Sequence, residues 1–412
     1  MRLIYQHGMT TTSGGNISIL DDDGSIWITP AGVDKGSLTD QDIVCIKENG
    51  DIEGLHRPSS EYPFHRAIYE KRKDLRAIIH AHPPALVSFS IVRKAPDTNV
   101  IPQARQFCGK VGYATYRLPG SEELGESIAA VFEEQYNSLI MENHGTVVGG
   151  SNLFKTFQRF ETLEFCARSI IHAARIGEVH RLQPEQISRF EQQENKLPEA
   201  EETHHPSDER EIRHEICRDI GRACDQGLMI SSHGTASLRW NNDDFLISST
   251  GVNRRFITPD DIVQIKDGTR EPGKLPSRSV LLHQEIYRQN RDINCIITTQ
   301  SPHLMAFCLA HQKFETRTIP ESYVLLKDIP SVPFGDHLDG NPTLPQLLSE
   351  ETPLVMIEND SVVVTGKNLL ETFDRLEVAE FSAKSLIEST SLGEVVTISH
   401  QEIEDLKKKF LS

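Results

Sequence analysis

The chain has 412 residues, 37% apolar and 25% charged, enough for one large globular unit or two ordinary domains and inconsistent with a peptide, a fibre or a mainly disordered polymer. Asp and Glu number 60 against 43 Lys and Arg, and the net charge of -17 repels nucleic acid and anionic headgroups, so neither is an expected partner. The seven cysteines are scattered without metal-ligand pairing, which suits reduced buried thiols better than a disulfide framework.

In chain order, the opening MRLIYQHGMTTTSGG lacks the apolar stretch and cleavage site of a signal peptide. No later run has 18 uninterrupted apolar residues. Residence in the cytoplasm and no membrane partner are the expectations. NISILDDDGSIWIT alternates as two strands joined by a DDDG turn. YPFHRAIYEKR carries a helical stripe, LRAIIH reads as a short buried strand, and NLFKTFQRFETLEFCARSIIHAARI as a long amphipathic helix. A polar stretch rich in His and Glu, 181 to 210, contains Pro206 and reads as a linker in which His204 and His205 are solvated rather than metal-bound. DEREIRHEICRDIGRACDQGLM then predicts another helix.

The chain repeats itself. GGNISI at 14 to 19 is echoed by HGTASL at 233 to 238, and WITPAGVDKGSLTDQDIVCIK by FLISSTGVNRRFITPDDIVQIK. RPSSEYPFHRAIYEKRKDLRAIIHAHPP returns as LPSRSVLLHQEIYRQNRDINCIITTQSP, and LIMENHGTVVGG as VMIENDSVVVTG. The reading is two tandem copies, 1–180 and 210–400, joined by a linker at 181–209. Each is mixed α/β, a central sheet covered by helices. Copy two opens with a full helix, whereas copy one is expected to have lost most of its own or to begin downstream of the true start.

His80 and His82 end a strand-like run, and residues two apart on an extended chain share a face, so both imidazoles can reach one ion. His144 sits where an apolar strand breaks at Asn143-His144-Gly145, the glycine being expected to supply the turn. Three imidazoles leave zinc an open fourth position, the catalytic arrangement, while satisfied strand-end histidines are the ordinary alternative. Glu61 lies where a loop passes into a helix: it is either a carboxylate stabilised by the helix dipole or a general base beside a metal. Ser59 and Ser60 at that helix start and the approachable backbone of Gly14-Gly15-Asn16 suggest an anion site.

The ordered set GGNIS, TPAG, SSE, HAHP and NHG resembles the class II aldolase/adducin family, which includes L-fuculose-phosphate aldolase and L-ribulose-5-phosphate 4-epimerase. The resemblance covers 1 to 180 strongly and 210 to 390 as a fold, and implies two tandem domains, each with a mainly antiparallel central sheet. It implies His80, His82 and His144 as zinc ligands and Glu61 as catalytic carboxylate. Gly15, Asn16, Gly32, Ser59 and Ser60 then fall where family aldolases hold the substrate phosphate. Ala31 departs from the hydroxyl residue usual before the glycine of TPAG, which removes one possible bond to a phosphate. Tyr113 and Tyr116 fall where family enzymes carry an auxiliary tyrosine, and neither is assigned a role.

In copy two, Ser279 replaces Glu61, Thr298 and Gln300 replace the histidine pair, and Asp360 replaces His144, so that copy is expected to be non-catalytic. The function implied is zinc-dependent aldolase cleavage of a keto-sugar or sugar phosphate through an enediolate, with Glu61 returning the proton. The alternatives are a 4-epimerase, a sugar-acid decarboxylase or a non-catalytic adducin-like scaffold. No nucleotide motif is present, so zinc is the one cofactor expected. The family's C4 tetramers imply a homodimer of fused pairs as a pseudo-fourfold assembly, or a higher homo-oligomer.

Overall fold

The computed structural model describes residues 1–193, 197–338 and 342–410, and the chain divides into two compact units, Met1–Arg168 and Ser169–Ser412. The first contains β1 (Asn16–Leu20), β2 (Ile26–Ile28), β3 (Val44–Ile46), β4 (Ile52–Glu53), β5 (Ala77–Ala81), β6 (Gly112–Ala114), β7 (Ser138–Met141) and β8 (Gly145–Gly150). They form one sheet in the order β4-β3-β2-β1-β5-β8-β7-β6. Each pairing is antiparallel except β6 with β7. Around it lie α1 (Arg2–Gln6), α2 (Tyr62–Lys71), α3 (Pro84–Ile91), α4 (Pro102–Cys108) and α5 (Glu122–Glu133), and α6 (Leu153–Ile176) contains the boundary between the units.

The second unit repeats the plan. Strands β9 (Thr235–Asn241), β10 (Asp244–Ser248), β11 (Ile262–Lys266), β12 (Thr269–Arg270), β13 (Cys295–Thr299), β14 (Ser331–Val332), β15 (Leu354–Ile357) and β16 (Ser361–Gly366) run in the equivalent order β12-β11-β10-β9-β13-β16-β15-β14. Its helices are α7 (Pro184–Glu191), α8 (Ser207–Asp225), α9 (Val280–Gln289), α10 (Pro302–Ala310), α11 (Pro320–Leu326), α12 (Leu344–Leu347), α13 (Leu369–Ser389) and α14 (His400–Phe410). Residues 181–209, expected as a linker, include α7, whose Ile187 and Phe190 are buried. His205 lies 2.8 Å from Glu209 and 3.5 Å from Glu271. Among the described residues no helix is long and apolar enough to cross a membrane.

Local sequence explains these elements. Gly24 takes a positive φ of 82° in the DDDG turn, letting Asp21 N–H donate to the Ser25 carbonyl and start the β1–β2 hairpin. In α2, Pro63 stands in the first turn, where its missing N–H has no cost, and Phe64 and Ile68, one turn apart, enter the core. Ser121 caps α5 by accepting from Leu124 N–H, and Leu124, Ile128 and Phe132 continue the stripe. These side chains meet Ile78, Leu139, Met141 and Val147 of the sheet in one apolar cluster. Strand β5 lies between β1 and β8 and is buried along its whole length, so a histidine at its end leaves water.

Each core also holds a polar triad. Ser18 Oγ lies 2.7 Å from His65 Nδ1 and 2.8 Å from the Tyr69 hydroxyl, and Ser237 repeats the pattern at 2.8 Å from both His283 and Tyr287. Burial drives the His283 imidazole down to about 3 from its ordinary 6.5. As the pH falls below 6.5, the unfolded chain takes up a proton that native His283 refuses. Its contribution is complete above 6.5 and is lost at ~1.4 kcal/mol per pH unit on the way down to about 3. A His283→Asn chain is therefore expected to be less stable near neutrality and to lose stability more shallowly through this acid window in urea titrations. An unchanged acid slope would contradict the assignment.

Candidate metal centre and active site

The register of the central strands assembles the site. Asn16 of β1 pairs with His80 of β5, and Ala81 pairs with Thr146 of β8. His80 is fully buried, and its Nδ1–H donates to the Thr146 carbonyl over 2.9 Å, which leaves the Nε2 lone pair for a ligand. His82, just past the strand, brings its Nε2 to 3.1 Å from that of His80. His144 arrives from the tight turn between β7 and β8.

That turn differs from the sequence expectation in one respect. Asn143, at φ 51°, takes the left-handed conformation rather than Gly145. Gly145 is required for space: a Cβ there would stand 2.6 Å from the Ala81 carbonyl oxygen and 2.6 Å from His82 Cδ2. Gly15 has the same duty on the other flank, where a Cβ would lie 2.6 Å from the His80 carbonyl oxygen, and its φ is 71°.

One potential ligand atom from each of His80, His82 and His144 lies within 4.8 Å of the others, the group of this kind that occurs among the described residues. Three neutral nitrogens that can close around an ion at about 2.0–2.1 Å, with a position left over, fit zinc or a similar divalent cation. Burial, reinforced by the neighbouring imidazoles, holds His82 and His144 down to about 4, so both keep their lone pairs near neutrality. Burial pulls His80 down as well, but the nearby Glu61 carboxylate raises it overall.

Glu61 immediately precedes α2, yet its side chain does not cap the helix. One oxygen accepts from Asn16 Nδ2 at 2.7 Å and lies 3.2 Å from His80 Nε2, and the other is 3.4 Å from His144 Nε2. Burial alone would push this carboxyl upward; His80, His144 and Asn16 together hold it below the usual carboxylate range. The side chain is thus directed at the histidine cluster rather than at the helix amides.

Of the residues expected to hold an anion, Gly15 precedes β1 and Asn16 opens it, while Gly32, Ser59 and Ser60 lie on two loops joined by a bridge. Pro30 bridges to Pro58 in the antiparallel sense, and Ala31 N–H donates to the Arg57 carbonyl over 3.0 Å, which joins the loop of Gly32 to the segment leading into Ser59 and Ser60. Gly32 is exposed, at φ 70°, with open space where a Cβ would point, and Ser60 is exposed as well. Ser59 is buried and accepts from Asn16 Nδ2 at 3.0 Å and from Glu61 N–H at 3.3 Å. Asn16 therefore also organises the carboxylate. Tyr113 has a buried hydroxyl without a hydrogen-bond partner, and Tyr116 is about half exposed.

Three further contributors escaped the sequence reading. Thr146 fixes the His80 ring, Lys35 is buried and donates from its ammonium to the Pro30 carbonyl, and His65 meets Asn16. A signal for His65 exists, since both copies keep a serine in the first strand and His-x-x-x-Tyr in the following helix. It is a signal of retention, whereas the histidine set stands out by its loss from copy two.

The second unit turns these positions inward. His233 Nδ1 lies 2.6 Å from Gln300 Oε1, Gln300 Nε2 donates to the Asp360 carbonyl at 2.6 Å, and Thr235 and Ser277 hydroxyls are 2.6 Å apart. Ser361 occupies the position of Gly145 and donates to Asp360 over 2.7 Å.

The class II aldolase and adducin N-terminal domain model matches residues 1–171 and again 214–387, and the chain belongs to this family as a tandem pair of domains. Over 168 residues it is 35% identical to L-fuculose phosphate aldolase of Methanococcus maripaludis, covering 40% of this chain and 89% of that protein. It is 33% identical over 170 residues to 3-oxo-tetronate 4-phosphate decarboxylase of Pectobacterium atrosepticum, covering 40% of this chain and 78% of that one. A solved L-fuculose 1-phosphate aldolase aligns with 45% of this chain and 88% of its own, at 32% identity and a TM-score of 0.42.

Because Gly145 admits no Cβ without moving β5 or His82, Gly145→Ala is expected to weaken zinc binding by about tenfold or more, with the fold retained. Competition against a chelator measures this, and wild-type affinity would refute the spacing argument.

Proposed function

We propose that the first copy is a zinc-dependent lyase that cleaves a carbon–carbon bond next to the carbonyl of a keto-sugar or sugar phosphate. The observation that carries this reading is the Glu61 carboxylate, with its two oxygens 3.2 and 3.4 Å from the facing nitrogens of His80 and His144. When bound by His80, His82 and His144, the cation supplies Lewis-acid polarisation of the substrate carbonyl and offsets charge that develops there. Glu61, held ionised by its neighbours, is the base that accepts a proton from the substrate and the acid that returns it to the carbanionic carbon. Asn16 keeps the carboxylate aimed through its 2.7 Å bond.

The substrate's anionic group is assigned to the loops of Gly15, Gly32, Ser59 and Ser60. With a net charge of -17, attraction for an anion must arise locally, from backbone amides, the cation and the neighbouring Lys35. The same residues can serve decarboxylation of a sugar acid, a reading supported by the 33% identity to a decarboxylase, since that reaction also leaves charge on a carbon next to a carbonyl. A purely structural role would need neither the three histidines nor Glu61. The second copy, without this set, is assigned a non-catalytic role.

Zinc-loaded protein is expected to turn over at least one member of a panel of keto-sugar phosphates and sugar acids, with the products distinguishing cleavage from decarboxylation. Glu61→Gln should keep its zinc and lose about 10²- to 10⁴-fold in kcat. Absence of turnover across the panel, or an unaffected Gln variant, would reject the proposal.

A further inference from the structure

We propose that His65 is a positioning residue for Glu61, acting through a hydrogen-bond chain whose direction is fixed from Tyr69 to the carboxylate. The claim rests on the reading of Glu61 as the group that moves the proton.

The direction follows from what each atom can do. A carboxylate oxygen only accepts, so the Asn16 atom 2.7 Å from Glu61 must be the amide nitrogen. The same nitrogen also serves Ser59 Oγ at 3.0 Å. Asn16 Oδ1 therefore faces His65 Nε2 at 2.5 Å, and as an oxygen without a proton it requires Nε2–H. His65 is fully buried, and burial drives its imidazole down to about 3, so it carries one proton near neutrality. Its Nδ1 must then accept, and the Ser18 hydroxyl at 2.7 Å donates to it. Ser18 Oγ in turn accepts from the Tyr69 hydroxyl at 2.8 Å. Reversing the Asn16 amide would set its oxygen against the Glu61 carboxylate and would also leave His65 facing an amide N–H donor, so a single tautomer of His65 satisfies every atom.

The second unit separates this role from simple core packing. Ser237, His283 and Tyr287 keep the triad, yet His283 Nε2 meets Thr298 Oγ1 at 2.9 Å, the residue at the position of His80. The triad is common to both folds, whereas its extension through an amide to a carboxylate is confined to the copy with three facing histidines.

Two measurements on the full chain test the proposal. Long-range proton–nitrogen correlation spectra of ¹⁵N-labelled, metal-free protein, with the histidine signals assigned, should place the His65 proton on Nε2. A proton on Nδ1 would overturn the chain's direction, and this readout needs neither a variant nor turnover. His65→Leu should keep zinc stoichiometry and lose about 10- to 100-fold in kcat with little change in KM. His65→Gln, whose amide can still donate to Asn16, should recover about tenfold or more of that loss. Wild-type kcat in the Leu variant, equal losses in Leu and Gln, or loss of zinc would each reject positioning. If the Leu variant does not fold, the tautomer decides. If the unaltered chain turns over no substrate, the proposed function fails while the spectrum still decides the direction of the chain.

Discussion

The candidate centre depends on how closely two backbones approach the end of β5. Gly15 on one side and Gly145 on the other come so near the His80 and Ala81 carbonyl oxygens that a Cβ on either would lie 2.6 Å from one of them. That proximity lets Asn16, His80, His82 and His144 share one small volume although they lie far apart in sequence. Glycine here removes an obstruction more than it supplies flexibility. In the second unit Gly234 keeps its positive φ of 95°, but Ser361 stands in place of Gly145 and turns its hydroxyl to Asp360. The glycine and the ligand set have gone together on that side.

Much of the architecture follows from local sequence rules. The hairpin at Gly24, the stripe of Phe64 and Ile68 and the buried strand before His80 each obey one periodicity, so these elements were legible from one copy and recur in the other, whereas the strand order of the sheet was not legible. The histidines and Glu61 were legible through the spacing of His80 and His82, the strand break at His144, the place of Glu61 before a helix and the resemblance that joins these motifs. Second-tier contacts were not. The bond from His80 to the Thr146 carbonyl and that of Lys35 to the Pro30 carbonyl are set by strand register and loop packing, which no short motif records. The turn at Asn143 was misread for the same reason: a glycine beside a turn suggests conformational freedom, and only the neighbouring strand reveals that space is the requirement.

The comparison of the two copies is a natural mutation series within one chain. Both retain the eight-strand order and the Ser-His-Tyr triad, so these belong to the fold. Glu61, the three histidines and Asn16 belong to one copy, and in the other each position is filled by a side chain that bonds to its neighbours or lacks the required donor. Replacement of Glu61 and the three histidines removes a carboxylate and imidazoles whose burial a bound cation would otherwise offset, and the one carboxylate that enters, Asp360, accepts from the Ser361 hydroxyl. The second domain can therefore keep the sheet and its core without the histidine set.

The central claim, one functional centre in two copies of the fold, is tested most directly by the metal content of the full chain reconstituted with excess zinc and freed of loosely bound ions. Elemental analysis against protein concentration should give one zinc per chain. Two per chain would mean that the second unit binds metal through residues other than the histidine set, and none would remove the basis for the assignment of the first.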